Sequence, residues 1–75
     1  MSYSEYLQKI FYLVDLLNQG NAGPADILAK KLNVSRRTLF RYMDELRLKG
    51  AVIDFSKREK TYFLKNEFDF SQIFL

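Results

Sequence analysis

The sequence predicts a mainly α domain with a small β-hairpin. Three observations carry that prediction. Apolar residues recur at helical spacing in three successive segments, turn formers and caps separate those segments, and after Gly50 the period shortens to that of strands. The chain has 75 residues, 48% of them hydrophobic, with 5 Tyr and 7 Phe. That is enough apolar material for one compact core and argues against disorder. We therefore expect a single domain over residues 1–75.

Ser2, Tyr3, Ser4 and Glu5 match the capping-box spacing that opens a helix. Tyr3, Tyr6, Leu7, Ile10, Phe11, Val14 and Leu17 then form an apolar stripe, with Leu13 adjoining it. The spacing predicts a first helix over about 4–18. Tyr12 and Leu16 fall outside the stripe, which suggests that more than one face is covered. Residues 18–23 are dense in turn formers.

Pro24 suits the first turn of a second helix, over about 24–32, because its missing N–H costs nothing there. Ala25, Leu28, Ala29 and Leu32 share a face of that helix, and Ile27 borders it. Asn33 tolerates a left-handed backbone, and Ser35 is a good N-cap for a third helix over about 35–49. In this helix Leu39, Tyr42, Met43 and Leu46 gather in one sector. Arg36, Arg37, Phe40, Arg41, Asp44 and Arg47 occupy the opposite one. Gly50 ends the helix, and Arg47 and Lys49 near its end suit the helix dipole.

Residues 52–55 and 61–64 are β-branched and aromatic runs around the charged loop 56–60, which reads as a hairpin over about 52–64 with a basic tip. The last residues, 66–75, form an apolar tail. It is expected either to complete the core of its own domain or, together with the first helix, to meet a second copy in a homodimer.

Charge is unevenly distributed. Residues 30–60 carry ten basic and four acidic side chains, a net of +6, while the remainder carries two basic and five acidic, a net of −3. A basic middle of this kind suits a polyanion. The chain has no His and no Cys, which removes disulfides, thiolate chemistry and the usual imidazole base. Asp44 and Glu45 are adjacent and point about 100° apart on a helix, so they cannot face each other as an acid–base pair. No catalytic residue, metal site or cofactor is expected. No apolar run reaches membrane-spanning length and no leader opens the chain, so a cytoplasmic protein is expected, nucleoid-associated if it binds DNA.

Helix, helix, short turn, helix and basic hairpin make a three-helix winged helix-turn-helix. The run Leu28, Ala29, Leu32, Val34, Ser35, Arg37, Thr38 and Arg41 resembles the N-terminal DNA-binding domain of DeoR-type regulators, their WYL-type relatives and the biotin repressor. The resemblance spans some sixty residues. This chain has Asn33 where that family often has Gly, and Tyr42 where it tends to have Asp. The latter exchange is expected to alter local packing and to leave the DNA-facing side alone. Those regulators continue into a ligand-binding or enzymatic domain. This chain is expected to lack one, and the resemblance therefore implies no small-molecule ligand.

What the resemblance does imply is double-stranded DNA as partner. The recognition helix would present Ser35, Arg36, Arg37, Thr38, Phe40 and Arg41 to the major groove. The arginines at its start suit guanine O6 and N7, and Phe40 suits a thymine methyl or the sugar-phosphate edge. Lys57, Arg58 and Lys60 at the wing tip, and Lys30 and Lys31 late in the second helix, suit phosphates. The same residues also fit a plainer reading as solvated charges, although an exposed Phe flanked by arginines suits a partner better than water. A winged-helix module that binds protein and not DNA is the alternative function, supported by the aromatics outside the helix-turn-helix. An enzyme is the third and poorest option.

Overall fold

The structure, a computed structural model, describes residues 3–68. Three helices are followed by one antiparallel hairpin: α1 (Tyr3–Gln19), α2 (Ala25–Leu32), α3 (Arg36–Leu48), β1 (Ile53–Ser56) and β2 (Thr61–Leu64). This is the winged helix-turn-helix arrangement. Ser2 lies outside the described residues, as do residues 69–75 of the tail.

The core is assembled mainly from the apolar faces of the three helices. Ile10, Leu13, Val14, Leu16 and Leu17 of α1 meet Ala25, Leu28, Ala29 and Leu32 of α2 and Leu39, Tyr42, Met43 and Leu46 of α3. Ala51, Ile53 and Phe68 close it from the wing side. One expectation for α1 needs correcting: Tyr3, a member of the stripe, is 73% exposed. Leu16, outside the stripe, is buried, as coverage of a second face requires, whereas Tyr12 is exposed. The reason is that α1 packs against both α2 and β2, so its buried arc is wider than one stripe and is displaced from the helix start.

The turns follow from local chemistry. Asn33 adopts φ 58° and ψ 48°, and Gly50 φ 109°. After α2, the Val34 and Asn33 N–H groups donate to the Ala29 and Lys30 carbonyls. After α3, the Ala51 and Gly50 N–H groups donate to Leu46 and Arg47 in the same pattern. Both helices therefore end in a Schellman turn whose left-handed residue is Asn or Gly. Pro24 differs from expectation. It is the N-cap of α2, not part of its first turn, because its backbone is extended (φ −75°, ψ 172°) while its carbonyl already accepts from Leu28 at 2.9 Å.

The hairpin is shorter at its start than the sequence suggests. Val52 lies outside β1, its N–H taken by the Asn66 side chain at 3.0 Å. Ser56 pairs with Thr61, so the loop is residues 57–60 and not 56–60. Lys60 turns the chain at φ 57°, and the Ser56 carbonyl and hydroxyl accept from Lys60 and Glu59. Phe55 and Tyr62 are cross-strand partners whose rings meet edge-on at 4.9 Å.

Four polar links seat the wing on the body. The Tyr62 N–H donates to the Gly23 carbonyl, and the Gly23 N–H donates to the Thr61 hydroxyl at 2.7 Å. Arg47 donates from α3 to the Ile53 carbonyl at 3.1 Å. Asn66 donates to the Gly50 carbonyl while accepting from Val52. Phe68, where the tail begins, is buried in its own domain, and its carbonyl accepts from Asn18 of α1.

Candidate nucleic-acid interface

The start of α3 is built by its cap. Ser35 has an extended backbone, and its side chain accepts from the Thr38 N–H at 3.1 Å. The same hydroxyl donates to the Thr38 hydroxyl, also at 3.1 Å. The Arg36 and Arg37 N–H groups donate to no such capping oxygen among the described residues, and they stand at the positive end of the helix dipole. A surface of this kind suits an anion.

Leu39, Tyr42, Met43 and Leu46 are buried, which orients α3 unambiguously. Arg36, Arg37 and Arg41 are therefore held in solvent, while Phe40 is 36% exposed and Thr38 half-buried. Arg37 and Arg41, one turn apart, form no hydrogen bond or ion pair among the described residues. Arg36 is different. Its Nε lies 3.2 Å from Asp26 Oδ1, and its guanidinium carbon lies 5.9 Å from the centre of the Phe40 ring. The structure thus brings Asp26, Arg36 and Phe40 together, an arrangement the sequence reading missed. Nothing local in the sequence marks it, since Asp26 and Arg36 belong to different helices.

Lys57, Arg58 and Lys60 are exposed around the hairpin turn, with Glu59 as the one acid among them. No hydrogen bond or ion pair joins them to α3 among the described residues. Of the two lysines of α2, Lys30 is exposed and its side chain unengaged among the described residues, while Lys31 donates to the Asn21 carbonyl at 3.0 Å and so caps the preceding loop.

Arg47, read as part of the exposed sector, reaches Asp44 at 3.2 Å as well as the Ile53 carbonyl. It ties α3 to the wing. Glu45 accepts from the Tyr6 hydroxyl, which pins α3 to α1. Burial, and then that bond to Glu45, push the Tyr6 phenol up to about 12. Tyr6 also meets the edge of the Tyr42 ring at 5.5 Å. Tyr42 sits in the core and away from the outward arginines.

A family model for an HTH domain matches residues 7–62, from the first half of α1 to the second residue of β2. The chain belongs to this HTH domain family. No curated protein and no solved structure matches it. The helix-turn-helix is a DNA-binding motif in which the second helix enters the major groove, so DNA binding is what membership assigns. In this HTH domain that second helix is α3, and the matched span also takes in most of the wing. The family is one of DNA-binding domains and not of enzymes. Among the described residues no group of three or more acidic, His or Cys side chains is placed to hold a metal ion. No helix among them is long and apolar enough to cross a membrane.

Proposed function

We propose that this HTH domain binds duplex DNA sequence-specifically and acts as a small transcriptional regulator, as its likeness to DeoR-type, WYL-type and biotin-repressor domains suggests. One observation carries the reading. Arg37 and Arg41 stand on the exposed side of a helix whose other side is fully packed, and no acid of the described chain neutralises them. Asp44, by contrast, is paired with Arg47 and Asp26 with Arg36.

In this reading Arg36 and Arg37 meet guanine edges, Arg41 a phosphate or second base, and Phe40 a thymine methyl. Ser35 and Thr38 lie beside phosphate at the helix start; the Ser35 hydroxyl donates to Thr38, so the Thr38 hydroxyl keeps its proton for a phosphate oxygen. Lys57, Arg58 and Lys60 follow the backbone or the neighbouring minor groove, and Lys30 adds a phosphate contact. Lys31 does so only by leaving Asn21.

Changing Arg36, Arg37 and Arg41 together to Gln tests this. The expected result is loss of duplex binding in a gel shift with an unchanged thermal melt, because all three side chains are exposed. Equal affinity before and after overturns the reading.

A second copy would double the contacts and set the spacing of two half-sites. The exposed Tyr3 and Tyr12 of α1 support such a homodimer, which a solution mass of twice 8.9 kDa would establish.

A further inference from the structure

Asp26 stands in the first turn of α2 and Arg36 opens α3. Their side chains are 70% and 62% exposed, and an ion pair this open to water contributes little to stability. Folding therefore gives no strong reason for the pair. Its position also has a cost for the function proposed above. A carboxylate beside the start of a recognition helix repels phosphate, and so opposes binding to DNA of any sequence.

The geometry supplies the reason. Asp26 engages Nε, the inner nitrogen of the guanidinium, at 3.2 Å. The Nη pair has no partner among the described residues. Those two nitrogens form the edge that matches guanine O6 and N7 bidentately. On its other side the guanidinium lies over the Phe40 ring, one helical turn along. A long, rotamer-rich side chain is thus held from two directions, with its base-reading edge left open.

We propose that Asp26 is a positioning residue for sequence specificity: it orients Arg36 toward a guanine and at the same time weakens binding to DNA at large. The proposal rests on the DNA-binding reading above. It makes a distinctive forecast, because the two effects of removing Asp26 have opposite signs. Specific discrimination falls while affinity for random duplex rises. A merely structural residue, once lost, would lower both.

The test uses the full chain in four forms: wild type, Asp26→Ala, Arg36→Lys and the double variant. Duplexes are first selected from a random pool with the wild type. Binding is then measured to the selected duplex, to versions with each G·C pair exchanged, and to random duplex. The wild type is expected to discriminate at one G·C position by about 10- to 30-fold, within the range of one bidentate contact. Asp26→Ala should reduce that ratio to about threefold and bind random duplex about two- to threefold more tightly at low salt, with the same thermal melt. Arg36→Lys should relax the same position, since Lys lacks both Nε and the paired Nη edge. The double variant should lose no more discrimination than Arg36→Lys alone.

An unchanged base preference in Asp26→Ala overturns the proposal, and so do losses that add in the double variant. Weaker binding to selected and random duplex alike, in step with a lower melt, assigns Asp26 to folding and overturns it too. A wild type that selects no sequence overturns the DNA-reading function itself, whereas a selective wild type with an indifferent Asp26→Ala overturns only the role of Asp26.

Discussion

Replacing Thr61 with Val asks whether one hydroxyl seats the wing. Thr61 opens β2 and is buried, and its oxygen accepts from the Gly23 N–H at 2.7 Å while donating to the Tyr62 carbonyl at 3.0 Å. Val fills nearly the same space without either bond. The lost hydrogen bond is worth about 1 kcal/mol, and an N–H left without a partner costs a further 1 kcal/mol or so, given that Gly23 is only half-buried. The expected loss is about 2 kcal/mol, from a total of about 4–11 kcal/mol for a domain of this length. With a urea slope near 1 kcal/mol per molar, the unfolding midpoint should fall by about 2 M at unchanged slope. Thr61→Ser keeps the hydroxyl and loses one methyl, so it should fall by about half as much. Amide exchange at Gly23 should accelerate relative to global unfolding in Thr61→Val alone. A midpoint shift under about 0.5 M, or equal shifts for Val and Ser, would refute the reasoning.

Three further outcomes are expected. Tyr6→Phe should destabilise the fold by about 1 kcal/mol, because Glu45 loses its donor. Since the folded phenol titrates at about 12 and the unfolded one near 10, its contribution is present below pH 10 and lost as pH rises from 10 to 12. The wild type should therefore lose about 1–2 kcal/mol more than Tyr6→Phe across that window, allowing for solvent screening; parallel pH curves would contradict this. Asn66→Ala removes the bonds to Val52 and Gly50, and a stability lower by about 1 kcal/mol in denaturant unfolding, with DNA affinity lost in proportion to wing fraying, is the expected reading. At Asn33, whose φ is 58°, Gly should be within about 0.5 kcal/mol of the natural residue. Ala should cost about 1 kcal/mol in thermal unfolding, and an Ala variant as stable as Gly would exclude the left-handed turn.

The fold class was legible because each of its signals is local. Leu39, Tyr42, Met43 and Leu46 recur at helical spacing, so their separation from Arg37 and Arg41 follows from 3.6 residues per turn alone. Ser35 caps by reaching three residues along its own chain, and Asn33 and Gly50 end helices through their own backbone freedom. Where local reading slipped, a neighbour decided the outcome: Val52 leaves the strand because Asn66 takes its N–H.

By itself, then, the sequence determined three helices, their turns, a hairpin with a cationic tip, and which side of α3 carries its arginines. Only the tertiary structure decided that Arg36 is held by Asp26, that Thr61 receives Gly23, that Arg47 grips Ile53, and that Tyr6 reaches Glu45. Periodicity and caps act over three or four residues and are written into the chain at that range. Asp26 and Arg36 become neighbours through the turn between α2 and α3, and Tyr6 and Glu45 through the packing of α1 on α3. Those juxtapositions depend on where the buried faces come to rest, which side-chain spacing does not encode.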